Sequence, residues 1–353
     1  MKSLTGLFLF LTFSAAAEDV PFDDARWHLE ADSAEIVEHL GKTALYLENG
    51  RAWLPDVKLT NGTIEFDVAF GPERGFSGAM FRFQRPGDFE NFYLRPHQSG
   101  KPDASQYTPE YNGVSGWQLY HGPAYAAPFK FRYNQWMRVR IEFSGHRAVV
   151  KLDGETLAIP KLKRAVQAGA VGLRSGFAPA WFADFSYSDE VPEDFASRTF
   201  EPIPENETAG LVREWRVSEA FEVGRQPDLV LESDLRDALA WKSFMVEPEG
   251  LVNLAKAAGV DRDHRAVLAE FTIESESAET RLMTFGYSDA ARVFLNGAEV
   301  YRGDNGYRTR DYRYLGTIGL FDAVPLRLKS GENVVTFAIA EGFGGWGVMA
   351  AVD

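Results

Sequence analysis

The densest run of chemically capable side chains lies between Asn91 and His121, which holds Arg95, His97, Asp103, Gln106, Tyr107, Glu110, Asn112, Trp117 and Tyr120. Arg, Asp, Asn, Gln and neutral His present planar donors and acceptors that match adjacent hydroxyls of a sugar. Trp and Tyr present flat apolar faces on which a sugar ring can lie. On that chemistry Arg95, His97, Asp103, Gln106 and Asn112 are the polar partners of a carbohydrate, and Tyr107, Trp117 and Tyr120 are its platform. Cleaving a glycosidic bond also needs two carboxyl groups flanking it, about 5–5.5 Å apart for retention and about 6.5–9.5 Å for inversion. Asp103 and Glu110 are the carboxyls available here, with His97 or His121 as proton partner. Gly100, Pro102, Pro109, Gly113 and Gly116 punctuate the run, so it reads as one long loop. The alternative is a structural Ω-loop packed by its own aromatics.

Two segments near the C-terminus carry similar chemistry. Gly342-Phe343-Gly344-Gly345-Trp346-Gly347 combines backbone freedom with two rings, which suits either a ligand rim or a bulged terminal strand whose aromatics cap a core. The stretch with Tyr301, Arg302, Asp304, Asn305, Tyr307, Arg308, Arg310, Asp311 and Tyr312 is a second rim, with surface ion pairing as its alternative. Metal ligation has little to build on. There is no Cys, and the six His are scattered without zinc-ligand spacing. No Gly-x-Ser-x-Gly elbow occurs, and no Gly-rich phosphate loop leads from a strand into a helix.

The elements that must position these groups are strands. Apolar and polar residues alternate with period two at Thr63–Val68 and again at Arg138–Phe143. Asp153-Gly154 and Asn296-Gly297 each sit between such runs, which is the signature of a two-residue hairpin turn. A polar interlude at Leu251–Ala258 interrupts the alternation and is compatible with a helix. Between Asp189 and Thr208, Pro192, Pro202 and Pro204 alternate with acidic residues, a composition that keeps a chain extended. The expectation is an all-β protein: two β-sandwich (jelly-roll) domains, residues 18–188 and 210–353, joined by an acidic, Pro-containing linker at 189–209.

Composition narrows the function. With 51 acidic against 37 basic residues and a net charge of −14, the chain repels nucleic acid and anionic membranes, so neither is expected as a partner. Met1-Lys2, the apolar run Leu7–Phe13 and Ser14-Ala15-Ala16-Ala17 read as a signal peptide over residues 1–17, too short to span a bilayer. A secreted or periplasmic protein follows, and carbohydrate is its expected partner.

Residues 22–188 resemble the concanavalin A-like lectin and glucanase superfamily. The residues that carry the resemblance are Asn61–Val68, Gly78–Phe83, and Trp136 leading through Val139–Ile141 to Val150–Gly154. Within it they are most similar to the laminin-G-like and 3-keto-disaccharide hydrolase branch. Residues 210–353 are similar to the galactose-binding-like jelly-roll modules of bacterial glycosidases, through Arg292–Tyr301 and Leu326–Ala340. The first resemblance implies a sandwich that binds or cleaves glycans outside the cytoplasm, and the second an ancillary module. Glu65 and Asp67 stand where the first two acids of the glucanase Glu-x-Asp-x-x-Glu signature would, but Phe70 occupies the third position, and a solvated strand face is the expected role. Structural calcium, common in both families, would draw on Asp184, Asp189 or Asp234, although their spacing defines no site. Three functions remain open: a carbohydrate-binding protein, a glycoside hydrolase using Asp103 or Glu110, and a non-catalytic cell-surface interaction protein.

Overall fold

The structure, a computed structural model, describes residues 17–222, 233–261 and 264–353. Residues 1–16, which hold nearly all of the expected signal peptide, lie outside the described residues.

Alternation along the first half produces a sheet of fourteen strands that folds over on itself. The strand Lys42–Leu59 turns the corner. Its first part, Leu45–Leu47, pairs with Ala180–Phe182, and its later part, Gly50–Leu59, pairs with Gly169–Ser175. One layer thus contains Gly62–Ala69, Met137–Ser144 and Ala180–Ser188. The other contains Gly75–Arg85, Asp88–Leu94, Ser105–Tyr111 and Gly169–Phe177. Inward-facing Ile64, Phe66, Val139 and Ile141 meet Ala79, Phe81, Phe92 and Leu173 in one buried core, with the Phe81 and Phe143 rings 4.8 Å apart. Side chains two apart share a face, so the opposite parity of the second layer, including Phe76, Asn91, Tyr93, Glu110 and Arg174, points outward.

The second half pairs two sheets around Trp215, Phe285, Phe337 and Trp346. The Asn296-Gly297 hairpin forms as expected. Leu295 pairs with Ala298, and both turn residues adopt the left-handed conformation, with φ of 50° and 83°. Asp153-Gly154 forms the same kind of turn, with φ of 45° and 94°. The fold is therefore all-β, with two sandwiches. Leu251–Ala258 departs from the helical expectation: Val252–Asn253 pairs with the last strand, and one 3-10 turn, Leu254–Lys256, follows, started by the Asn253 side chain accepting from Ala255 N–H.

The acidic, proline-bearing segment does not hang free. Phe195 is buried, Arg198 pairs with Glu142, and Asn206 N–H donates to Pro248 O. Between the sandwiches the packing is continuous. Leu251, Ile318 and Met349 join the first core, and Val114 joins the second. Gln118, 0% exposed, is tied to the second half at every polar group. Its N–H donates to Gly344 O at 2.9 Å, its carbonyl accepts from Ile318 N–H at 3.2 Å, Nε2 donates to Leu315 O at 2.8 Å, and Oε1 accepts from the Ser288 hydroxyl at 3.0 Å. Lys163, its side chain 2% exposed, is held by Glu247 and Glu249 at 2.8 and 2.7 Å. No helix among the described residues is long and apolar enough to cross a membrane.

Candidate functional site

Where the outward face of the second layer meets the other sandwich there is a cleft of about 540 Å³. That size falls in the ~300–1,000 Å³ range of small-ligand sites. The first sandwich contributes Phe76, Asn91, Tyr93, Arg95, Glu110, Trp117 and Arg174, and the other contributes Arg265, Tyr307, Glu341, Phe343 and Gly344.

The sheet register explains the floor. Arg174, Gly78, Tyr93 and Gln106 are successive partners across four strands. A Cβ on Gly78 would fall 2.1 Å from Phe92 O, so this row has a position that no side chain can fill. Tyr93 OH donates to Gln106 Oε1 at 2.9 Å, and Gln106 Nε2 donates to the carbonyls of Trp117 and Tyr120 at 2.9 and 2.7 Å. Gln106 is thus a positioning residue that fixes the backbone behind the Trp117 ring.

Two aromatic groups face the cleft. Trp117, Tyr307 and Phe343 contact one another edge to face at 5.9–6.2 Å, drawing rings from both sandwiches. Phe343 is 50% exposed, so the cluster keeps an open side. Gly344 allows this approach, since a Cβ there would lie 2.7 Å from Trp117 Nε1. On the other side Phe76 contacts Tyr93, His97 and Phe177 at 5.5–5.6 Å, and the guanidiniums of Arg74 and Arg95 lie 6.0 and 5.7 Å from its ring.

Three buried polar atoms of residues lining the cleft have no partner among the described residues: Asn91 Oδ1, Arg95 Nε and Glu341 Oε2. Burial of an unpaired polar atom is costly, and such atoms mark places where a ligand or water completes the bonding. Burial, reinforced by the nearby Asp289 carboxylate, pushes Glu341 up to about 8, so it is predominantly protonated at pH 7. Asp289 is also raised by burial, against the N–H groups of Phe343 and Gly342 that it accepts.

The expected site residues divide sharply. Trp117, Arg95 and Glu110 line the cleft. Asp103 does not; its carboxylate is spent on Arg95. Glu110 accepts from Arg174. His97 packs behind Phe76, and burial, with Arg95 and Arg74 adding to it, pushes its imidazole down to about 4. A neutral ring set back in this way is not placed as a proton partner to Asp103 or Glu110. Tyr107 and Tyr120 are corrections, since both rings are fully buried and offer no face to a sugar. Tyr107 OH donates to Glu90 at 2.6 Å, and Tyr120 OH to Glu247 at 2.7 Å. Asn112 ties the sandwiches together through Nδ2 to Ala255 O at 2.9 Å, and Gln106 supports rather than lines. The long loop is corrected as well. Ser105–Tyr111 is a strand, paired on one side with Asp88–Leu94.

Elsewhere, Glu65 and Asp67 lie on the outer face of the first layer, where Arg138 bridges them at 2.7 and 3.2 Å and Arg140 also pairs with Glu65, as a charged strand face would. Trp346 is buried in the second core, while Phe343 of the same segment reaches the cleft. Of the Tyr301–Tyr312 stretch only Tyr307 reaches the cleft; Arg302, Arg310 and Asp311 form ion pairs with Glu299, Asp322 and Arg313. No cluster of three or more His, Asp or Glu suited to a metal occurs among the described residues, and Asp184 accepts from Lys42. The Asp234 side chain lies outside the described residues. Phe76, Asn91, Tyr93, Arg174, Arg265 and Glu341 were not singled out by the sequence; Asn91 and Tyr93 share the alternating parity of Asp88–Leu94, which was the one available signal.

No family model matches the sequence, and no curated protein does. Among solved structures the chain is similar to the carbohydrate-binding module CBM66 of Bacillus subtilis, at 16% identity over 46% of this chain and 94% of that one, with a TM-score of 0.36. It is also similar to chicken galectin 2, at 17% identity over 39% and 97%, TM-score 0.30, and to a putative glycosyl hydrolase of Parabacteroides distasonis, at 12% over 47% and 89%, TM-score 0.31. At such scores no functional argument passes from these proteins to this chain. The functional reading rests on the cleft.

Proposed function

We propose that this protein binds carbohydrate outside the cytoplasm, in the cleft between its two sandwiches. The observation that carries the reading is the pairing of an open three-ring cluster, Trp117, Tyr307 and Phe343, with unpartnered Asn91 Oδ1 and Glu341 Oε2 in one cleft. Rings supply an apolar platform, and the two polar atoms offer an acceptor and, with Glu341 protonated, a donor for hydroxyls. The expected test is a glycan array followed by calorimetry. Trp117→Ala should abolish binding that Tyr107→Phe, altered only in the core, retains. Equal binding by the wild type and Trp117→Ala would sink the proposal.

One observation favours a second reading, a glycan-degrading enzyme: the carboxyl groups lining the cleft include Glu110 and the protonated Glu341. A carboxyl kept neutral at pH 7 is suited to protonate a leaving oxygen. On this reading Glu341 replaces Asp103 and His97 as the acid. Release of reducing sugar, lost in Glu341→Gln while binding persists, would select it; no release from any polysaccharide bound by the wild type would discard it.

A further inference from the structure

We propose that the ligand of this cleft is an acidic oligosaccharide, whose carboxylate or sulfate group is held by Arg74 beside the Phe76 wall and by Arg265 from the facing sandwich. The inference rests on the carbohydrate reading above and names the substrate class.

The charge distribution points to it. The chain carries a net −14, yet the cleft is lined by four arginines, Arg74, Arg95, Arg174 and Arg265, against the carboxyls of Glu110, Asp261 and Glu341. Two of these arginines are already engaged: Arg174 by Glu110, and Arg95 through one nitrogen by Asp103. Arg95 Nε remains buried without a partner. Arg74 has no ion pair among the described residues; its guanidinium lies against Phe76 and Phe177, 6.0 and 5.1 Å from their ring centroids. Arg265 donates to the main-chain carbonyl of Glu341 at 2.9 and 3.2 Å and likewise pairs with no carboxylate among the described residues. Arg74 and Arg95 therefore approach one ring, and of the two only Arg95 already has a carboxylate, that of Asp103. Of the cleft's carboxyls, Glu341 is held neutral by burial and Glu110 is paired with Arg174.

Guanidinium forks match planar carboxylate and sulfate oxygens with two parallel bonds, while the adjacent rings take the sugar faces. Nucleic acid is also anionic, but its dense phosphates would meet the acidic remainder of the surface, whereas a short oligosaccharide with a few charges fits within the cleft.

The test is calorimetry of the full chain with a galacturonate hexamer, a sulfated oligosaccharide, a neutral cellulose hexamer and a single-stranded oligonucleotide. One of the two acidic sugars should bind best, and which one distinguishes carboxylate from sulfate. Its affinity should fall about tenfold or more between 0.05 and 0.5 M NaCl, because exposed charges are screened at high salt. Arg74→Met and Arg265→Met should each weaken it about tenfold or more, the loss expected for a hydrogen bond to a charged group. Arg74→Lys, which keeps the charge but loses the fork, should bind more tightly than Arg74→Met and more weakly than the wild type. Both arginines are exposed, so the variants should melt at the wild-type temperature, which a thermal scan checks. Neutral sugar binding as tightly, with no salt dependence, would overturn the acidic ligand while leaving the carbohydrate cleft in place. Absence of binding to every sugar would overturn both, and preference for the oligonucleotide would overturn this inference in favour of a different partner.

Discussion

Replacing Glu341 by Gln should make the protein more stable in alkali and leave it nearly unchanged in acid. Glu341 is 5% exposed; Oε1 accepts only a 3.3 Å bond from Gly345 N–H, and Oε2 accepts none. Burial and then Asp289 raise its carboxyl from an ordinary value of 4.5 to about 8. In the unfolded chain it ionises near 4.5, while in the folded protein it keeps its proton until about 8. The proton therefore stabilises the fold fully below 4.5, and that contribution is lost as pH rises through the window to 8. At about 1.4 kcal/mol per pH unit, the swing has a ceiling of about 5 kcal/mol. Asp289, raised in the same direction, adds to the loss. A glutamine cannot ionise, so Glu341→Gln removes this slope. Urea unfolding followed by tryptophan fluorescence should place wild type and variant within about 1 kcal/mol of each other at pH 5, the net scale of one hydrogen bond. At pH 9 the variant should be ahead by about 3–5 kcal/mol. Parallel stability curves for the two proteins from pH 5 to 9 would show that Glu341 ionises freely, and would refute both the burial argument and its proposed role as a donor.

Other predictions follow from the contacts between the sandwiches. Gln118→Leu leaves the Leu315 carbonyl without its buried donor, which should cost about 1–3 kcal/mol and weaken sugar binding by loosening Trp117; unfolding and calorimetry on one preparation check both, and an undisturbed variant would contradict the keystone role. Lys163→Met leaves Glu249 without its cation and Glu247 with Lys256 alone, the latter carboxyl being held below its ordinary range by Lys256 and Lys163 despite its burial. A loss of about 3–5 kcal/mol at neutral pH is expected from unfolding, as when one partner of a buried pair is removed. If the export reading is correct, N-terminal sequencing of the protein recovered from its native cells should begin near Glu18, whereas an intact Met1 would argue for retention.

Much of the architecture was legible because it is written locally. Alternation over Thr63–Val68 and the left-handed demands of Asp153-Gly154 and Asn296-Gly297 need no distant partner to be recognised. Ser105–Tyr111 was not legible because both of its faces are covered, Tyr107 by the core and Gln106 by the Trp117–Tyr120 backbone, so the polar and apolar contrast that marks a strand vanishes. Pro109 added to the appearance of a loop. The same covering explains why Tyr107 and Tyr120, attractive as platforms by type, are core residues. Trp117 and Phe343 were each visible as candidate rim aromatics, but nothing local shows that segments so distant in sequence share one cleft. Glu341 and Arg265 were invisible for the same reason, since their importance lies in what they lack: a partner for Oε2 and a carboxylate for the guanidinium.

The most direct test is a crystal structure of the protein grown with the tightest-binding oligosaccharide from the calorimetric panel. Sugar rings should lie against Trp117, Tyr307 and Phe343, with hydroxyls on Asn91 Oδ1 and Glu341 Oε2 and the acidic group beside Arg74. Sugar bound elsewhere, for instance across the Glu65 and Asp67 face, with this cleft filled only by water, would contradict that placement.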